Sequence, residues 1–199
     1  MSSPPMRPLA TDTSPRPLRA DAQRNRASVL AGARRAFREE GLDADMASIA
    51  QRSGVGVGTV YRHFPTKEAL LEALALDHFE RLAEIVEGIE AQERDAWAAV
   101  EQQIWQTATY TAEDFGMCEV LSMAPATIAE MPPSQRLRRA SWRIVEKAQA
   151  AGVVRDDATP GDIPLMMCGF GRIAAAQRAG APMDWRRYLE IMLDGLRAR

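Results

Sequence analysis

The sequence predicts an all-α protein with a small N-terminal bundle and a larger helical body. Three observations carry that prediction: apolar residues recur at three- and four-residue steps from about residue 21 onward, no stretch alternates apolar and polar residues as a half-buried strand does, and no segment repeats at a fixed period. The 199 residues are 46% apolar, with 25 basic and 27 acidic side chains, which is enough apolar material for one large domain or two small ones.

Residues 1–20 hold Pro4, Pro5, Pro8, Pro15 and Pro17 and few large apolar residues, so they are expected to form a disordered arm. A first helix is expected from Asp21, as N-cap, to Gly41, with Val29, Leu30, Ala33, Ala36 and Phe37 on its buried face. Asp45 caps a short helix over 46–53, where Met46, Ile49 and Ala50 share a face and Gly54 ends it. Residues 57–64 make two further turns before Pro65, which disfavours helix in the residue before it. Thr66 caps a long helix whose Leu70, Leu71, Leu74, Phe79, Leu82, Ile85, Val86 and Ile89 form a stripe of about 25 residues joining head to body.

The body is read as helices over 95–112, 115–123 and 134–151, the last ended by Gly152. Another opens at Thr159-Pro160 or at Asp162 and finishes near Gly180. A final helix, capped by Asp184, carries Trp185, Tyr188, Leu189, Met192 and Leu196 on one face at nearly heptad spacing.

Composition excludes several classes. The longest apolar candidate, 163–171, contains Pro164 and two glycines and falls far short of the roughly 18 residues of a membrane span. The N-terminus lacks the apolar region of a signal peptide, so the protein is expected to stay in the cytoplasm. Cys118 and Cys168 are the only cysteines and have no metal-site spacing, so no metal or other cofactor is expected. His63, His78 and the two cysteines form no nucleophile or metal pair, and there is no phosphate-binding glycine loop, which argues against an enzyme. Residues 1–67 hold 11 basic and 6 acidic side chains, whereas residues 68–199 hold 14 and 21. A basic head on an acidic body points to a polyanion at one end or, more plainly, to a solvated helical surface.

Two short helices around a glycine turn, the second opening with small residues, have the spacing of a helix-turn-helix, whose second helix fits a major groove about 12 Å wide. Ile49-Ala50, Gly54-Val55, Gly58, Tyr61, His63-Phe64, Lys67 and Leu70 resemble the motif of the TetR-type one-component regulators. The resemblance covers residues 22–82, with the helix-turn-helix at 45–64; 186–189 and 193–196 are similar to the end of one subgroup. It implies a DNA-binding domain over 21–66 and a ligand-binding and dimerisation domain over 67–199. It also implies a regulator, usually a repressor and more rarely an activator, that binds a near-palindromic double-stranded operator as a homodimer and releases it when a small molecule enters the body.

Six residues are assigned to DNA. Gly58 lets backbone approach a phosphate or merely opens the helix; Thr59 offers a hydroxyl to phosphate or a methyl to thymine. Tyr61 and His63 can donate to phosphate, the alternatives being a core tyrosine and a capping histidine. Arg62 is the candidate for guanine, with phosphate or solvent as its other partners, and Lys67 is placed on a phosphate. Val60 and Phe64 are assigned to the core. Gly56 and Val57 stand where many relatives of this type carry polar residues, which leaves open a sensor acting mainly through protein contacts. The arm's Arg7, Arg16 and Arg19 reach a minor groove or form a solvated tail.

In the body, Trp105, Tyr110, Met117, Met123, Met166 and Phe170 are assigned to an apolar or aromatic effector, against the alternative of ordinary core. Arg136, Arg138 and Arg139 are read as a solvated run. Gly169, Ile173, Trp185, Leu189, Met192 and Leu196 are assigned to a four-helix dimer seam, with packing inside one chain as the competing explanation.

Overall fold

The computed structural model describes residues 16–114, 117–123, 126–182 and 184–199. Among the described residues the regular structure is helical, apart from one isolated antiparallel bridge between Val154 and Arg197. The head comprises α1 (Arg16–Glu40), α2 (Met46–Ser53) and α3 (Val57–His63), followed by the long α4 (Lys67–Gln92). The body adds α5 (Ala96–Glu113), α6 (Met117–Met123), α7 (Pro132–Ala150), α8 (Asp162–Arg178) and α9 (Trp185–Leu196).

Local chemistry sets most boundaries. The side chains of Asp45, Thr66, Asp95 and Asp184 accept the backbone N–H groups of Ser48, Ala69, Ala98 and Arg186, each in the first turn of its helix. Gly54 closes α2 at φ +67°, a left-handed conformation that glycine adopts without a Cβ penalty. The first helix starts at Arg16, five residues ahead of the expected cap. Asp21 therefore lies inside α1, where its exposed carboxylate pairs with Arg24. Pro17 occupies the first turn, whose N–H groups lack intrahelical partners in any case, so it does not stop the helix. The same tolerance lets α7 begin at Pro132 rather than at 134 and lets Pro164 sit in the first turn of α8. Of the expected arm, residues 1–15 lie outside the described residues, as does Phe115 at the expected start of α6.

Two apolar cores lie along α4. The first joins Val29, Ala33 and Phe37 of α1 with Ile49, Val60, Phe64, Leu70 and Leu74, and takes in Met117 and Val120 of α6. The second runs from Val86 and Ile89 through Val100, Ile104, Ile144, Phe170, Leu189 and Leu193. Helix α4, about 39 Å long at 1.5 Å per residue, spans both. It is clasped to α7 by Arg136, which bonds Glu80 and, at 2.6 Å, Glu87, and by Arg143, which forks onto Glu90 at 2.7 Å. The arginine run at 136–139 divides: Arg136 is drawn into this clasp, whereas Arg139 is exposed as expected and Arg138 half-exposed, donating respectively to Gln135 and to the Ala129 carbonyl.

Two glycines mark close approaches that have no local signature. A Cβ on Gly32 of α1 would collide with Ser53 of α2, whose backbone N and Cα would lie 2.8 Å away. A Cβ on Gly169 of α8 would lie 2.7 Å from the Tyr188 hydroxyl, which donates to the Met166 carbonyl at 3.1 Å.

The apolar face of α9 turns into its own chain. Leu189, Met192 and Leu196 are buried in the second core, and Trp185 packs edge-on against Phe170 with ring centroids 5.5 Å apart. These residues do not form an exposed seam; α9 uses its strong amphipathicity to close the body. The large apolar side chains that α8 and α9 leave outside are Leu165 and Ile191, 73% and 57% exposed.

Candidate nucleic-acid interface

Helix α3 is held from beneath. Val60 and Phe64 are buried in the head core, as assigned, and the Phe64 N–H returns to the Val60 carbonyl at 2.8 Å. This fixes the outer face, where Val57 and Tyr61 are 41% and 49% exposed, Gly58 and Arg62 are exposed, and Thr59 and His63 are half-buried. Neither Gly56 nor Gly58 is hemmed in: a Cβ at either position would meet nothing within 4 Å. The head needs no glycine there for its own packing, and the surface around Gly58 is low enough for a bulky partner to come close. Arg62 donates to the Thr59 hydroxyl at 3.1 Å, which lays the guanidinium along the exposed face.

Lys67 stands apart from this group. Its ammonium donates to the Leu42 carbonyl in the turn before α2 and lies 5.9 Å from the Phe37 ring centroid. It ties the start of α4 to the α1–α2 connection, a duty its assignment to phosphate did not anticipate. Two of its three N–H donors remain for other acceptors.

The structure does not bring the six assigned effector residues together. Trp105 and Phe170 flank Trp185, with Met166 against the same core. Tyr110 stacks on His78, ring centroids 5.1 Å apart. Met117 is buried in the head core because α6 packs on the N-terminal half of α4, and Met123 is 63% exposed. Two open grooves of about 320 and 360 Å³ lie between α1 and α4 and between α4 and α5, and none of the six lines either.

What the sequence reading missed is the junction between the cores. Arg34 of α1 donates to Asp77 of α4 at 2.8 Å and to Asp114, at the end of α5, at 3.1 Å, tying the head to two body helices. Burial works against its charge, but both carboxylates outweigh this and raise its pKa. His78, fully buried beside them, contacts the Thr111 hydroxyl at 3.3 Å. Burial, reinforced by the positive charge of Arg34, pulls its pKa down to about 3, so the ring is neutral near pH 7. The four-residue spacing of Gln103, Thr107 and Thr111 was the available signal, since it places three polar side chains on one helix face.

Comparison with known proteins agrees with this geometry. Residues 29–74 match the family described as bacterial regulatory proteins, tetR family, and residues 95–198 match the SbtR-like transcriptional regulator C-terminal domain. The HTH-type transcriptional repressor Rv1474c of Mycobacterium tuberculosis is 31% identical over 182 residues, covering 87% of this chain and 81% of the relative. Among solved structures, the TetR regulator SCO0520 of Streptomyces coelicolor is 34% identical with a TM-score of 0.61, over 87% of this chain and 98% of the other. A TetR regulatory protein of Mycobacterium vanbaalenii is 33% identical with a TM-score of 0.63, over 92% of this chain and 100% of the other. These relatives are regulators rather than enzymes, and no helix among the described residues is long and apolar enough to cross a membrane. With a helix-turn-helix held on its own core, an all-helical body behind it and family matches over both parts, the chain belongs to the TetR family of transcriptional regulators.

Proposed function

We propose that the protein is a ligand-responsive repressor of the cytoplasm that binds a near-palindromic operator as a homodimer and leaves it when a small molecule enters the body. The observation that carries this reading is α3, anchored by Val60 and Phe64 while Gly58, Tyr61 and Arg62 face outward. Gly58 lets the backbone meet a phosphate, Thr59, Tyr61 and His63 supply donors to the backbone, and Arg62 reads guanine. Lys67 adds a phosphate contact while holding the Leu42 carbonyl. The repressor sense is supported by the name of the mycobacterial relative.

One helix-turn-helix head reads only a half-site, so two copies are needed. The proposed dimer surface is the outward side of α8 and α9, with Leu165 and Ile191 exposed and Gly169, Ile173 and Trp185 half-buried nearby. The effector proposed is a small molecule with an apolar or aromatic body, suited to the ring group of Trp105, Phe170 and Trp185.

Selection of duplexes from random DNA with the full-length protein tests the reading. The expected result is an inverted repeat whose half-site centres lie roughly 34–36 Å apart, or a multiple of that. Recovery of no common sequence would overturn it.

A further inference from the structure

Along α4 the buried members of the head core run as far as Ala75, and those of the second core begin at Val86. Arg34 of α1 reaches into the interval between them. Its Nη2 donates to Asp77 at 2.8 Å, and its Nε donates at 3.1 Å to Asp114, the C-cap residue of α5. The Arg34 and Asp114 side chains are 21% and 9% exposed, so solvent ions screen this pair less than a surface bridge. The same turn of α5 is also held by α8, whose Arg178 donates to the Ala112 carbonyl at 3.4 Å.

Two kinds of contact join head and body. Met117 and Val120 of α6 sit in the head core, and apolar contact is non-directional, so it resists separation more than sliding. A guanidinium is planar, and its N–H bonds to carboxylates on two different helices fix direction as well as distance. Asp77 lies ten residues beyond Lys67, about 15 Å from the end of α4 that carries α3. A tilt of about 10° at that point moves α3 by about 3 Å, close to the roughly 3.4 Å between successive base pairs.

We propose that Arg34, Asp77 and Asp114 are positioning residues that set the angle of the head on the body and thereby the half-site spacing the protein accepts. The inference rests on the two-headed operator reading above and adds what discriminates between operators with identical half-sites. Because α8 belongs to the proposed dimer surface and is bonded to the α5 turn that holds Arg34, the fork ties each head to that surface through one helix end. Heads freed from the fork reach a wider range of spacings and hold the preferred one less tightly.

The test uses the full-length protein, the duplex recovered by selection, and the same duplex with one base pair added or removed between its half-sites. Wild-type protein is expected to bind the altered duplexes at least about tenfold more weakly than the selected one. Asp114→Asn keeps the side-chain shape and leaves Arg34 its bond to Asp77, whereas Arg34→Lys keeps the charge and loses the planar fork. Both variants are expected to remain folded, to keep wild-type affinity for random DNA, and to bind altered and selected duplexes within about threefold of each other. Arg143→Met removes a fork within the body, onto Glu90, and is expected to keep the wild-type preference. Wild-type spacing preference in both Asp114→Asn and Arg34→Lys would overturn the proposal, as would indifference of the wild-type protein to spacing or an equal loss of preference in Arg143→Met. Unfolding of both variants would reduce the fork to a stabilising contact and overturn it too. Selection that yields no inverted repeat overturns the proposed function as well, whereas an inverted repeat whose spacing preference both variants retain overturns the fork alone.

Discussion

Among the described residues the head buries only apolar side chains, whereas the body buries His78, Gln103, Thr107, Thr111, Asp114 and Ser134. All four buried side-chain polar atoms without a partner among the described residues, His78 Nδ1, Trp97 Nε1, Gln103 Oε1 and Ser134 Oγ, lie on α4 beyond the head core, on α5 or on α7. An apolar core completes itself and holds α3 rigid for a partner outside. The body core keeps unmet hydrogen-bonding capacity of both kinds, since Trp97 Nε1–H is a donor and Gln103 Oε1 an acceptor. On the proposed function the head reads DNA and the body answers a ligand, and Arg34 is fastened between them.

The sharpest way to break this contrast is to charge α9. Leu189→Glu puts an unpaired carboxylate into the second core, and a loss of about 4 kcal/mol or more is expected, read as collapse of the cooperative thermal transition. Ile191→Glu, on the opposite side, should leave helicity unchanged and halve the sedimenting mass; a folded dimer would place the interface elsewhere. Gly32→Ala attacks the other region. Its methyl meets the Ser53 backbone, which cannot give way as a side-chain tip can, so a loss of about 1–3 kcal/mol is expected, with faster amide exchange in α1 and α2 than in α9. Uniform exchange would deny the head its own core.

The burial of His78 also predicts a pH dependence. Because the folded-state pKa of His78 is depressed to about 3 from 6.5, the unfolded chain binds the extra proton first as pH falls, and stability is lost below about pH 6.5. The loss is about 2 kcal/mol by pH 5, and a His78→Gln protein should lack that component of the slope. Lys67→Ala should cost about 1 kcal/mol of stability through the Leu42 carbonyl and reduce the salt slope of DNA binding by about 0.9. An unchanged slope would leave Lys67 a purely structural residue.

The head was the more legible region because its boundaries are local. A cap such as Asp45 or Thr66 and the glycine that ends α2 act within four residues of their place in the chain, and the buried positions Val60 and Phe64 follow from a two-turn helix. Gly32 escaped notice because its constraint comes from Ser53, twenty-one residues away. In the body, periodicity located α5 to α9 but not the direction of each apolar face. The stripe of α9, resembling a seam between copies, is consumed by its own core, and Met117 went to the head because α6 packs on the first half of α4. His78 meets Thr111 and Gln103 meets Ser141 only once the fold sets α4 and α7 against α5.

The central claim is that the outer face of α3 reads DNA, and Arg62→Ala tests it most directly. Affinity is measured for the duplex recovered by selection and for random DNA, with circular dichroism confirming the fold. The predicted result is a loss of about 1–3 kcal/mol on the selected duplex and a smaller loss on random DNA. Wild-type affinity of the folded variant for the selected duplex would contradict the account.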